Sequence, residues 1–67
     1  MELGFWLVEL DFVRTMDEAE VLCQRGSVRI DGNSVSNVHT IIKPGSLLGT
    51  LEHAYTIRVP SPFYEEN

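Results

Sequence analysis

The stretch EAEVLCQRGSVRIDG, from Glu18 to Gly32, changes its hydrophobic period within a few residues. Its first part sets Ala19, Leu22 and Cys23 on one stripe at helical spacing. Its second part alternates, with Val28 and Ile30 on one side and Arg29 on the other, as a half-buried strand does. Gly26 stands at the change, where a helix ending in a left-handed residue most readily uses glycine. Asp31-Gly32 then supplies a two-residue hairpin turn, both of whose central positions want positive φ. A helix that runs straight into a strand and a tight turn commits the chain to a mixed α and β architecture.

Upstream, Thr15 is a good N-cap and Glu18 follows three residues later, the spacing of a capping box. Asp17 and Glu18 in the first turn and Arg25 in the last suit the helix dipole, so a helix is expected from about residue 16 to 25. An earlier segment, residues 2–13, carries Leu3, Trp6, Leu7, Leu10 and Val13 at helical spacing, with Phe5, Val8 and Phe12 widening the stripe. A first helix is expected there, mostly buried.

Downstream, residues 37–42 read as a strand, and Lys43-Pro44-Gly45-Ser46 as a turn in which proline fixes φ. LLGTL (47–51) and AYTIRV (54–59) read as further short strands joined around Glu52-His53. The expected fold class is α+β: two N-terminal helices packed on a small, mostly antiparallel sheet of four to five short strands. Residues 1–60 are expected to form one domain and residues 61–67 an extended or frayed tail. Leu7, Leu10, Leu22, Val28, Ile30 and Ile57 are the expected core.

A chain of 67 residues makes one small domain with no room for a separate cofactor domain. The single cysteine, Cys23, excludes an internal disulfide and a cysteine-based zinc cluster, and fits a half-buried helix residue in a reduced, cytoplasmic setting. Met1–Val13 has no basic start and no small-residue cleavage site, so it does not read as a secretion signal. No apolar run reaches the roughly 20 residues of a membrane helix.

His39 and His53 lack the short paired spacing of metal ligands, and no serine has a base and an orienting group predicted beside it. The expectation is a non-catalytic chain with no cofactor, no metal and no small-molecule substrate. The net charge of −5 opposes indiscriminate nucleic-acid binding.

The order of residues from about 5 to 48 resembles the small RNA-binding domain of the ribosomal protein S-four type, the alpha-L motif. The residues that carry the likeness are LVELDFVRTMDEAEVLCQRGSVRIDGNSV and the later IIKPGSLL. The final segment LLGTLEHAYTIRV looks like the last strands of the version at the C-terminus of bacterial tyrosyl-tRNA synthetases. The resemblance implies binding of structured RNA, ribosomal or transfer, through the helix pair and adjoining loop. Carried over by position, the contacts would be Arg14, Thr15, Arg25 and Arg29. Two features depart from the pattern: Met16 stands where the family has an arginine, and the second helix carries Asp17, Glu18 and Glu20. Those acids motivate a second expectation, a protein-interaction module on the same scaffold, with Asp17 and Glu20 docking a basic partner beside Phe5 or Trp6.

Overall fold

The computed structural model describes residues 1–60; the expected tail at 61–67 lies outside the described residues. The fold is α+β. Helices α1 (Leu3–Glu9) and α2 (Met16–Gln24) precede strands β1 (Val28–Ile30), β2 (Asn33–Ser34), β3 (Leu47–Thr50) and β4 (Thr56–Arg58). The strands form one antiparallel sheet in the order β2-β1-β3-β4.

Local chemistry fixes both ends of α2. Thr15 Oγ1 accepts the N–H of Glu18 at 3.2 Å, and Glu18 Oε1 accepts the N–H of Arg14 at 2.6 Å. The carboxylate thus reaches one residue beyond the N-cap, a displaced form of the capping box. At the other end the N–H of Gly26 donates to the Cys23 carbonyl (3.0 Å) and that of Ser27 to the Leu22 carbonyl (3.1 Å). These are the two bonds of a Schellman motif, and they require the left-handed φ of 75° that Gly26 adopts. β1 starts two residues later. Asp31 and Gly32 take φ of 52° and 85°, which makes the β1–β2 connection a type I′ turn. The Asp31 side chain also accepts the N–H of Leu47 at 2.9 Å, tying this turn to the start of β3. The expected turn at residues 43–46 is present, closed by the N–H of Ser46 on the Lys43 carbonyl.

Two expected elements differ. The first helix ends at Glu9, not residue 13, because Asp11 takes φ of 64° and closes α1 with a second Schellman pair. In it the N–H of Asp11 donates to the Val8 carbonyl (3.1 Å) and that of Phe12 to the Leu7 carbonyl (2.9 Å). Aspartate is among the few side chains that tolerate this region. The chain folds back there, so Phe12 and Val13 still enter the core.

Residues 37–42 do not form a strand; only an isolated bridge joins Ile41 to Glu2. The backbone of this segment serves α1 instead. Glu2 makes no side-chain cap, and the first-turn N–H groups of Leu3 and Gly4 donate to the carbonyls of Thr40 (2.7 Å) and Val38 (2.9 Å). Gly4 allows this close approach, since a Cβ there would lie 2.7 Å from Met16 Cε and 3.0 Å from Val38 Cγ2.

Both helices pack on one face of the sheet. Leu3, Leu7, Cys23, Val28, Leu48 and Val59 are fully buried, with Trp6, Phe12, Val13, Leu22, Val38 and Ile42 around them. Of the expected core, Leu7, Leu22 and Val28 are buried, whereas Leu10, Ile30 and Ile57 are half-buried against it. On the other face Arg29, Gly49 and Thr56 stand in register across β1, β3 and β4.

Leu7→Ala should lower unfolding free energy by roughly 2–5 kcal/mol in urea denaturation, as for other buried leucines. Gly26→Ala meets no side-chain clash, its Cβ lying 3.9 Å from the Ser34 hydroxyl. Its expected loss of about 1–2 kcal/mol is therefore the left-handed backbone strain alone.

Candidate functional site

The side chains that converge in this fold do so around the connection between β3 and β4. Residues 51–55 are held against the carboxyl end of α2. The N–H of Leu51 donates to the Ser27 carbonyl at 2.9 Å, and the Ser27 hydroxyl donates to Glu52 Oε2 at 3.1 Å. Arg25 Nη1 approaches the same carboxylate oxygen at 3.6 Å. His53 Nδ1 and Thr50 Oγ1 share a hydrogen bond of 2.5 Å.

The connection then presents an aromatic cluster. Phe12 and Tyr55 stack with centroids 5.4 Å apart and planes 22° from parallel. His53 sets its ring nearly perpendicular to Phe12 at 5.1 Å and to Tyr55 at 5.4 Å. Such edge-on and offset arrangements are the favoured ones for aromatic pairs.

Two depressions meet at His53. One, of about 370 Å³, has an apolar floor from Phe12, Val13, Val21 and Leu22, and a charged rim of Asp17, Glu18, Arg25 and Glu52. The other, of about 290 Å³, lies on the sheet face turned away from the helices. Arg29, His53, Tyr55 and Thr56 wall it, above Gly49 and Ala54.

The residues expected to touch RNA are not brought onto one surface. Arg14 and Thr15 lie at the amino end of α2 and Arg25 just past its carboxyl end. The separation of 11 positions between the two arginines corresponds to about 16 Å along a helix. Arg25 is paired with Glu52, and Arg29 stands on the open sheet face without an ion-pair partner among the described residues. Arg25 and Arg29 border adjoining depressions, whereas Arg14 lies at the far end.

Of the alternative face, Asp17, Glu20 and Phe5 are exposed. Trp6 is not available as an anchor there: it is buried in the core, with Phe5 edge-on at 5.7 Å. The helical spacing that put Trp6 on the stripe puts it inward. Tyr55, His53 and Phe12 were absent from the sequence expectation as site residues, because residue 12 and residues 53–55 meet only through tertiary packing.

No group of three metal-binding side chains occurs among the described residues, and none of their helices is long and apolar enough to cross a membrane. Cys23 is fully buried, and burial followed by the nearby Glu20 carboxylate pushes its thiol pKa up, which disfavours the thiolate. No family model, curated protein or solved structure matches the chain.

His39 sits away from this cluster, beside the amino end of α1. Its Nδ1 lies 2.9 Å from Glu2 Oε1, and that hydrogen bond, reinforced by the carboxylate charge, raises the imidazole pKa. The raised value means the pair's stabilisation is full below the unfolded pKa of about 6.5 and is lost as pH rises through the folded value. The melting-temperature gap between the wild type and His39→Gln should therefore be wider at about pH 6 than at about pH 8.5. A gap that widened towards alkaline pH would rule the ion pair out as its source.

Proposed function

We propose that this chain is a small, non-catalytic module that binds structured RNA, ribosomal or transfer, in a cytoplasmic setting. The contact surface in this reading is the carboxyl end of α2 with the adjoining sheet face. The observation that carries it is Arg29: an exposed guanidinium with no carboxylate partner among the described residues, lining one depression with the exposed Tyr55 ring and the half-buried His53. Arginines that hold phosphates and aromatics that receive bases are the combination structured RNA uses. The sequence resemblance to the alpha-L motif, from which Arg29 is carried over as a contact, points to the same reading.

The acids of α2 do not defeat it. Asp17 lies eight residues from Arg25, about 12 Å along the helix axis. Repulsion from a carboxylate that far away is weakened, though not abolished, at physiological salt, where the Debye length is about 8 Å.

A second reading has its own observation. The apolar groove over Phe12, Val13, Val21 and Leu22 is rimmed by Asp17, Glu18 and Glu52 against the single cation Arg25. An acidic rim on an apolar floor suits a basic amphipathic segment of a protein partner.

Salt-titrated binding to transfer RNA and to total cellular RNA separates the two. On the RNA reading, Arg29→Ala weakens binding across RNAs and lowers the salt slope by about one unit, the loss of one phosphate contact. Arg14→Ala, at the far end of α2, changes it less. Asp17→Lys tightens binding. If Arg29→Ala has no effect, and Asp17→Lys abolishes binding of a basic amphipathic peptide, the acidic groove is the working face.

A further inference from the structure

We infer that Tyr55 is a stacking platform for one unpaired nucleotide, with the Arg29 guanidinium on that nucleotide's phosphate. The inference rests on the RNA-binding reading and specifies which feature of the RNA is recognised.

The geometry of the ring comes first. Tyr55 is 47% exposed, whereas Phe12 of the same cluster is buried and His53 half-buried. Phe12 covers one of its faces, nearly parallel at 5.4 Å, and His53 closes on its side at 5.4 Å. His53 is itself fixed by Thr50, and Phe12 is buried in the core. The phenol ring is therefore backed by two anchored neighbours while nearly half of its surface stays open to solvent. An aromatic already held in place loses little conformational freedom when a second ring stacks on it, which is what makes a platform effective.

The surroundings fit a flat guest. The depression beside Tyr55 is lined for the rest by small residues, Gly49, Thr50, Ala54 and Thr56, with Arg29 and His53. A Cβ on Gly49 would come within 2.8 Å of Thr56 Cγ2, so a larger residue would displace Thr56 into this space. Arg29 is the direct cross-strand neighbour of Gly49. A cation and an aromatic ring that line one depression provide for the two parts of a nucleotide, a phosphate and a base.

Neither nearby carboxylate competes for that cation. Glu52 is engaged by Ser27 and Arg25, and Asp31 accepts the backbone N–H of Leu47.

The class of RNA follows from this geometry. In an A-form duplex both faces of each base are occupied by its neighbours, so a lone surface ring has nothing to stack on. Loops, bulges and ends present splayed bases. The expected ligand is a folded RNA with at least one unpaired base, held by its backbone near Arg25 and Arg29.

The test uses the whole chain with two probes: a short RNA hairpin carrying 2-aminopurine in its loop, and a blunt duplex of the same stem. The hairpin should bind about ten-fold tighter than the duplex, the scale of one base–aromatic stack, and its 2-aminopurine fluorescence should quench on binding. Tyr55→Ala should lower hairpin affinity by about ten-fold and erase the quench, while Tyr55→Phe and Tyr55→Trp retain both. Because Tyr55 packs on Phe12, each variant is first melted. If Tyr55→Ala does not fold, the Phe and Trp variants decide.

If hairpin and duplex bind equally and folded Tyr55→Ala matches the wild type, the platform is wrong although RNA binding stands. Loss of the quench in Tyr55→Phe would assign the effect to the hydroxyl and overturn stacking. Failure of the wild type to bind either probe at low salt would overturn both this inference and the reading beneath it. Binding of an acidic peptide at Arg29 in place of RNA would do the same.

Discussion

The hydrogen bonds from Gly26 and Ser27 back onto α2 set the geometry of everything that follows them. They reverse the chain within two residues, so the last turn of α2 and the first residue of β1 share one wall of the core. Ser27, fixed by that turn, then receives Leu51 through its carbonyl and holds Glu52 through its hydroxyl. The β3–β4 connection is thereby positioned by the end of a helix 25 residues earlier in sequence. Were Gly26 unable to take positive φ, the loss would extend beyond one helix cap, because the aromatic cluster and both depressions are built on the connection it anchors.

A domain of this size has little apolar surface to spend, and the fold compensates by letting irregular backbone do more than one task. The segment at 38–42 caps α1 with two carbonyls, buries Val38 and Ile42, and bridges the residue before α1. A helix of seven residues is far too short to persist by propensity alone. It exists because its amino end is fastened by this segment, its carboxyl end is closed at Asp11, and Leu3, Trp6 and Leu7 are buried between.

What was legible in the sequence was local. Thr15, Gly26 and Gly32, and the backbone of Asp31, act on neighbours within five residues as their chemistry suggested, while Glu18 caps one residue further out than expected and the Asp31 side chain also reaches Leu47. The misreadings came from longer range or from an unusual residue. Leu10 and Val13 continue the helical spacing past Glu9, and only the left-handed Asp11, a rarer choice than glycine, stops it. Residues 37–42 have β-branched and apolar alternation, but their backbone partners belong to α1, far upstream. The site suffered in the same way. Arg25 and Arg29 were visible as cations, whereas the stacking of Tyr55 on residue 12 depends on where β4 lands.

The acidic balance of the chain and a cationic site are compatible because charge acts locally on a wet surface. Four of the carboxylates lie on or beside α2 and its groove, at Asp17, Glu18, Glu20 and Glu52. Arg29 is on the opposite side of the sheet, where in-register neighbours are Ser34, Gly49 and Thr56, none of them charged. The sheet therefore separates an acidic helical side from a strand side that carries Arg29 and Arg58, and net charge describes neither. An acidic helical side also repels a phosphate backbone that approaches in the wrong orientation. On the proposed RNA-binding reading, like-charge repulsion there and attraction at Arg29 would favour one orientation of docking over the others.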